Sequence, residues 1–247
     1  MVRINPADHR RGLELASRRL FLRGTLSIGA LSLLTGCNLE DDDTVDRVLS
    51  AMSRWNDRVQ AALFSQARLA PIYSEADITD PFPFNAYYPL DQVRHVDGGT
   101  WRLEVSGLVN ERRTWTLADL AALPQTSQIT RHICIEGWSA IGKWGGVPFR
   151  DFLARIGADT RARYVSFRCA DDYRSSIDMA TALHKQTLLA LTFRDVPLPA
   201  AYGFPVKLRV PTKLGFKNPK HIVAIDVTNV YPGGFWEDYG YNWFSGI

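Results

Sequence analysis

The chain has 247 residues, of which 46% are hydrophobic and 22% charged, as in an ordinary globular protein. Six of its 29 basic residues and two of its 26 acidic residues lie within the first 36 positions, which leaves 23 basic and 24 acidic residues elsewhere. The part of the chain that can form a folded domain is therefore close to neutral. This balance argues against nucleic acid as a partner.

The N-terminus has the order of features found in an export signal. Arg18 and Arg19 resemble the pair of a twin-arginine signal, and they precede an apolar stretch, residues 24–34, that is too short to span a bilayer. We expect export to the periplasm by the route that carries folded proteins, often loaded with a cofactor. The alternative is a short basic helix on the domain surface.

Residues 34–37, Leu-Thr-Gly-Cys, resemble a bacterial lipobox. On this interpretation Cys37 is lipidated, becomes the mature N-terminus and holds the protein at a membrane surface. The alternatives are an ordinary cleavage near Gly36, or an uncleaved anchor with an incidental cysteine. We predict three regions: a signal segment (1–37), a linker with an amphipathic helix (38–80), and the main domain (81–247).

Periodic spacing of apolar residues predicts both helices and strands. A spacing of three and four residues from Val48 to Leu63 is typical of an amphipathic helix, and Thr116 followed by Asp119 forms a helix N-cap pattern. Alternation of apolar and polar residues predicts the strands. The expected helices cover 45–63, 116–123, 148–156 and a turn at 180–184; the expected strands cover 101–107, 129–136, 164–169, 187–193, 206–210 and 221–230. Strands joined by irregular runs and short helices indicate a mixed α+β domain.

The chain has three cysteines, Cys37, Cys134 and Cys169, and five scattered histidines. It contains no CxxC, CxxCH, HExxH or GxGxxG pattern. This argues against a thioredoxin or zinc site, a covalent haem, a four-thiolate iron–sulfur cluster, a zinc protease and a dinucleotide fold. Considered alone, Cys134 would be a buried small residue or one half of a disulfide with Cys169.

Cys134 begins the run Cys-Ile-Glu-Gly-Trp-Ser at 134–139, which is followed by Trp-Gly-Gly-Val-Pro-Phe at 144–149. A second motif, Gly-Phe-Pro-Val-Lys-Leu-Arg-Val-Pro at 203–211, precedes Leu-Gly-Phe-Lys at 214–217 and Lys-His-Ile at 220–222. From about Pro81 to Thr228 the sequence resembles the sulfite-oxidase-type molybdopterin-binding oxidoreductases. It is most similar to the branch that contains the catalytic subunit of periplasmic protein-methionine-sulfoxide reductase. The resemblance implies a mixed-sheet, sulfite-oxidase-like domain with one molybdenum–molybdopterin cofactor per chain.

The resemblance also assigns roles to individual residues. Cys134 is expected to be the thiolate ligand of molybdenum, since sulfur donors suit such a centre. Arg131, close to Cys134, is expected to act in catalysis by orienting a polar substrate. The expected cofactor contacts are Asn85, Tyr88, Cys169, Tyr202, Lys207, Asn218 and Lys220. The relatives have Thr, Asn and Arg where this chain has Cys169, Tyr202 and Lys207, and a lysine meets phosphate as a point charge without the bidentate fork of arginine.

The implied reaction is a two-electron oxygen-atom transfer that reduces a sulfoxide-like substrate, either a small molecule or a protein sulfoxide. Electrons would come from a separate membrane-bound or soluble haem protein, because the sequence has no haem or cluster motif of its own. Two alternatives stay open. One is oxidation of the sulfite-dehydrogenase kind, and the other is a non-enzymatic lipoprotein binding module with a Cys134–Cys169 disulfide.

Overall fold

The computed structural model describes residues 42–247, with side chains from residue 45 onward. The helices are α1 (Asp42–Leu63), α2 (Leu117–Ala121), α3 (Phe149–Arg155) and α4 (Met179–Ala182). The chain divides into two compact units whose boundary falls inside α1, between Met52 and Ser53. The predicted export signal and Cys37 lie outside the described residues, and the predicted boundary at residue 80 stays a prediction.

The first sheet has five strands in the order β2-β1-β10-β5-β6. They are β1 (Leu103–Gly107), β2 (Thr114–Trp115), β5 (Tyr164–Cys169), β6 (Arg174–Asp178) and β10 (Ile222–Thr228). β1 and β10 run parallel, whereas the other neighbours are antiparallel. The sheet is therefore mixed, as the resemblance predicts.

The second sheet has the order β3-β4-β7-β8, and β9 pairs with β7. Its strands are β3 (Thr126–Ile133), β4 (Ser139–Pro148), β7 (Leu188–Phe193), β8 (Val196–Pro197) and β9 (Lys207–Arg209). β3 and β4 are paired from Thr126–Gly146 to Ile133–Ser139 without a bulge. This hairpin positions the turn that carries Cys134.

The main hydrophobic core takes side chains from both sheets and from α3. Val165, Leu208 and Ile225 are fully buried in it, and so is Phe152 of α3. A smaller aromatic cluster around Phe82 and Trp144 covers part of the second sheet. Burial of this apolar area is the main favourable term in folding.

The described part of α1 that belongs to the second compact unit holds the C-terminal segment. Asp57 Oδ1 accepts a hydrogen bond from the Phe244 backbone N–H at 2.7 Å, and Gln60 Oε1 accepts one from Gly246 N–H at 3.0 Å. Trp55 and Leu63 stay exposed. None of the helices within 42–247 is both long and apolar enough to cross a membrane.

The expected helices all form, and α2 begins with the predicted capping box. Thr116 Oγ1 accepts from Asp119 N–H at 3.0 Å while the Asp119 carboxylate accepts from Thr116 N–H at 2.8 Å. Several predicted strand boundaries were wrong by one to three residues, most of all in β3, which runs from Thr126 to Ile133 instead of over 129–136. As a result Ile133 and Ile135 do not share a strand face.

Candidate cofactor site

A tight turn after β3 presents Cys134 to a cavity of about 330 Å³. The Cys134 N–H donates to Trp138 O at 2.9 Å, and Gly137 N–H donates back to Cys134 O at 3.2 Å. Gly137 has φ +92°, a backbone conformation that glycine adopts without a steric penalty. Cys134 is 9% exposed, so its thiol is buried except toward the cavity that it lines.

Glu136 lies next to the thiol within the same turn. Its Oε2 is 3.6 Å from Cys134 Sγ and accepts a hydrogen bond from Trp138 Nε1–H at 2.8 Å, which holds the carboxylate in place. Burial raises the pKa of the Cys134 thiol, and the Glu136 charge acts in the same direction. A bound metal reverses this preference, because a coordinating thiol is deprotonated by the positive ion.

A buried cluster of cations stands near the same cavity. Lys207, Arg209 and Lys220, here called the cationic cradle, are 2%, 0% and 7% exposed. Within residues 42–247 none of the three forms an ion pair, whereas the other buried lysines, Lys213 and Lys217, lie beside Asp178 and Glu237. Charged residues are rarely buried unless they are paired, so these three cations indicate a binding site for an anion.

Burial is the main reason that the cradle has unusual proton affinities. It lowers the pKa of Lys220 to about 8 and that of Arg209 to about 9. The pKa of Lys207 falls well below its usual value through burial and through repulsion from Lys220 and Arg209. An anion bound among them would raise all three values again.

Hydrogen bonds fix the cradle in place. Arg209 Nη1 donates to Asn218 Oδ1 at 2.9 Å, and its Nη2 donates to Arg131 O at 2.6 Å. Lys220 Nζ donates to the carbonyls of Asn85 and Ala201. An ammonium has three N–H donors, so Lys220 keeps one for a ligand in the cavity.

Three buried nitrogen atoms beside the cradle have no hydrogen-bond partner within the described residues. They are Arg209 Nε, His132 Nδ1 and His221 Nε2. Nearly all buried polar groups in folded proteins are paired, so orphaned atoms around unpaired cations indicate a polar, negatively charged ligand. A molybdopterin phosphate fits this donor set, and the thiol of Cys134 fits the metal.

The close packing around the cradle requires glycine at two positions. A Cβ on Gly215 would lie 2.5 Å from His132 Nε2, and a Cβ on Gly203, where φ is +115°, would lie 2.9 Å from Lys220 Cβ. Gly203 begins the second sequence motif, and Gly215 lies in the Leu-Gly-Phe-Lys run that follows it. The two glycines allow the backbone at these positions to approach Lys220 and His132 closely.

Four of the expected site residues line this one cavity: Asn85, Cys134, Asn218 and Lys220. Asn85 Nδ2 lies 3.2 Å from His132 Nε2, which ties the loop before β1 to the strand that leads to Cys134. Lys207 does not line the cavity but contacts one of these four residues, because its Nζ donates to Asn218 O at 3.4 Å. Residues far apart in sequence therefore meet at one site.

The other expected contacts do not line the cavity themselves. The hydroxyl of Tyr88 donates to Asp171 Oδ2 at 2.9 Å, and that of Tyr202 donates to Phe82 O at 2.7 Å. Cys169 is buried in the main core. None of these three is among the residues that line the cavity, and their assignment as cofactor contacts stays a prediction.

Arg131 lines a second cavity instead of the one that Cys134 lines. Its expected role at the mouth of the Cys134 cavity stays a prediction. Cys134 and Cys169 are both free thiols, which removes the structural basis for the disulfide alternative. Within the described residues no group of three or more His, Cys, Asp or Glu side chains is arranged to hold a metal ion.

Sequence reasoning missed the aromatic wall of the cavity. Tyr87, Tyr173, Phe216, Trp236 and Tyr241 line it, and Trp236 and Tyr241 belong to the C-terminal segment. The Trp236 and Tyr241 rings are 5.2 Å apart between centroids. The aromatic richness of that segment was the only available signal, and it did not indicate a position in the fold.

The mixed sheets, and a cavity that combines one thiol with buried cations, fit a protein of the molybdopterin-binding class. A family model described as "Oxidoreductase molybdopterin binding domain" matches residues 90–236. The chain belongs to this family and is a molybdopterin-binding oxidoreductase.

The chain is also similar in sequence to individual proteins of this family. The chain is 63% identical over 234 residues, 95% of its length and 89% of the relative's, to a protein of Azospira oryzae named "Putative protein-methionine-sulfoxide reductase subunit YedZ1". It is 33% identical over 166 residues to the protein-methionine-sulfoxide reductase catalytic subunit MsrP of Xanthomonas campestris, covering 60% of this chain and 52% of that one. The chain thus spans about half the length of this MsrP relative.

A solved structure shares the fold. The sulfane dehydrogenase SoxCD from Paracoccus pantotrophus matches with a TM-score of 0.53 and 20% identity, over 56% of this chain and 40% of that chain. The likeness confirms the expected sulfite-oxidase-like α+β architecture.

Proposed function

We propose that this protein is an exported molybdenum–molybdopterin enzyme that reduces sulfoxides, including methionine sulfoxide in proteins. The names of its sequence relatives support the substrate class. The balanced reaction takes a sulfoxide, two electrons and two protons to a thioether and water.

One structural observation carries the cofactor part of this proposal. The same cavity is lined by a soft thiol, Cys134, and by Lys220 of a cationic cradle that has no carboxylate partner within the described residues. Molybdopterin offers a sulfur-bound metal and a phosphate in one molecule, and these two chemistries match the two kinds of protein donor.

Molybdenum, when bound, supplies the two-electron oxygen-atom chemistry, and the protein supplies binding and orientation. Cys134 Sγ would contribute one ligand, held by the turn that Gly137 closes. Lys207, Arg209 and Lys220 would hold the phosphate, and Asn85 and Asn218 would orient the cofactor from the cavity wall.

The aromatic wall gives the substrate a suitable approach. Tyr87 and Tyr241 are 38% and 42% exposed, so part of each ring faces solvent at the cavity. The thioether of methionine makes favourable contacts with aromatic rings, typically worth about 0.3–1.5 kcal/mol each. These rings would contact the apolar part of the substrate side chain and exclude water from one side of the cavity.

The remaining parts of the proposal concern location and electron supply. A twin-arginine signal would carry the loaded protein out of the cytoplasm, and lipid on Cys37 would hold it at the membrane. A membrane-bound or soluble haem protein would donate the electrons. Cell fractionation of wild type and Cys37→Ala tests the anchor, since only the lipidated protein should stay with membranes.

Metal analysis and electron paramagnetic resonance test the centre directly. We expect roughly one molybdenum per chain in the wild type and an altered or missing Mo(V) signal in Cys134→Ser. Arg161→Gln is the control and should keep the wild-type signal, because Arg161 is an exposed residue that pairs with Asp159 and does not line the cavity. A wild-type spectrum from Cys134→Ser would remove Cys134 from the metal shell.

Turnover assays separate the directions of reaction. The purified holoenzyme should reduce an oxidised protein or a small sulfoxide with a reduced donor, and should leave sulfite unoxidised with an acceptor. Oxidation of sulfite without reduction of sulfoxides would favour the sulfite-dehydrogenase alternative.

A further inference from the structure

A second cavity, of about 510 Å³, lies between the end of α1, the start of the irregular segment after it, and β3. Its apolar wall includes Leu63, Phe64, Leu69 and Phe244. Leu63 and Leu69 are 79% and 49% exposed, so part of this apolar wall faces solvent. The volume is within the range of small-molecule binding sites, roughly 300–1,000 Å³.

The polar part of this cavity is cationic. Arg68 and Arg131 line it, and no aspartate or glutamate of the described chain does. Neither arginine forms an ion pair within residues 42–247. The Arg131 guanidinium stands over the Tyr73 ring at 5.2 Å from its centroid, which orients its fork without using its N–H donors.

Thr212 provides an independent sign of a missing ligand. Thr212 is one of the residues that line the cavity and is only 8% exposed, and its Oγ1 is buried without a hydrogen-bond partner within the described residues. A buried hydroxyl without a partner costs free energy, so such atoms are commonly completed by a bound molecule.

We propose that this cavity binds an amphipathic carboxylate, with an anionic head held by Arg131 and Arg68 and a hydrocarbon tail along Leu63, Leu69 and Phe244. The guanidinium fork matches the two oxygens of a carboxylate, and the Thr212 hydroxyl can donate to the same group. The exposed leucines would be covered by the tail, which accounts for their position. The inference does not depend on the proposed redox reaction.

Calorimetric titration of the full-length protein with decanoate, kept below micelle-forming concentrations, tests the site. Wild type should bind decanoate with saturable, one-to-one stoichiometry. Arg131→Gln should weaken binding by about tenfold or more, because a charge-assisted bidentate contact is lost. Thr212→Val, which keeps the side-chain shape, should weaken binding by about threefold.

Two controls make the result specific. Arg161→Gln removes an exposed arginine that pairs with Asp159 outside the cavity, and it should bind decanoate as wild type does. Decanol has the same tail without the charge and should bind much more weakly than decanoate. The proposal is overturned if wild type does not bind, if decanol binds equally well, or if Arg131→Gln binds like Arg161→Gln. Melting curves of each variant confirm that it is folded.

Discussion

Binding of an anion to the cationic cradle should be coupled to proton uptake by Lys220. Burial lowers the pKa of this lysine to about 8, against an ordinary value of 10.5. At pH 8.5 about three quarters of the Lys220 side chains are therefore neutral, whereas at pH 7 about nine tenths are protonated. A bound dianion favours the charged form and returns the pKa toward its ordinary value.

The expected magnitude follows from these fractions. Binding of sulfate, which stays a dianion across this range, should take up about 0.1 proton at pH 7 and about 0.7 proton at pH 8.5 through Lys220. Sulfate affinity should fall about fourfold over the same interval, because the free protein must first bind the proton. Lys207 adds uptake in the same direction, since its pKa is also lowered by burial.

Calorimetry in two buffers of different ionisation enthalpy measures the proton count directly. Lys220→Met should reduce the rise between pH 7 and pH 8.5 by about 0.6 proton, which is the share of Lys220, and leave the smaller part that comes from the other cations of the cradle. Lys213→Met is the matched control, because Lys213 is also a buried lysine but does not line the cavity. A proton uptake that stays flat with pH in the wild type, or a rise in Lys220→Met as large as that of the wild type, would refute the coupling.

Three further outcomes are expected. Burial lowers the pKa of Lys213 to about 7, below its unfolded value, so the unfolded chain binds more protons above pH 7 and stability rises with pH. Through Lys213 the free energy of unfolding in denaturant should therefore increase by roughly 1 to 2 kcal/mol from pH 7 to pH 8.5, and Lys213→Met should lose that increase. Gly215→Ala should displace His132 and lower the molybdenum content per chain, whereas unchanged loading would show that the contact is not needed. Phe152→Ala should lower the free energy of unfolding by about 3–5 kcal/mol in a urea titration, and a loss under 1 kcal/mol would contradict its place in the core.

Periodicity in the sequence predicted the elements whose side chains alternate between core and solvent. β1 and β10 are of this kind, and both form where expected. β4 escaped notice because Gly142, Gly145 and Gly146 interrupt its pattern. The strand needs them: a Cβ on Gly146 would lie 2.0 Å from Leu189 O on the neighbouring strand. Glycine in a strand often marks such a close approach, but the approaching partner cannot be read from local sequence.

The sequence predicted those site residues whose role follows from their chemical type, such as a basic side chain that binds an anion. It predicted less well the residues whose role depends on where the fold directs the side chain. The basic run indicated an anion site, and Lys220 indeed lines the cavity. Arg131 is only three residues from Cys134, yet strand alternation sends its side chain into the other cavity. Within the described residues His132 Nδ1 and His221 Nε2 are buried without a hydrogen-bond partner. Several elements of the fold produce this burial, and the spacing of residues in the sequence does not predict it.

The last four residues of β3 alternate between two chemical environments. Thr130 and His132 point toward the cradle, while Arg131 and Ile133 line the second cavity. Loss of a single codon from this strand would leave the amino-acid composition almost unchanged but would exchange the two faces between the deletion and the turn. Residue deletions in β3 should therefore be far less tolerated than substitutions on its exposed face. A deletion scan would identify this strand as the segment whose register directs Cys134 into its cavity.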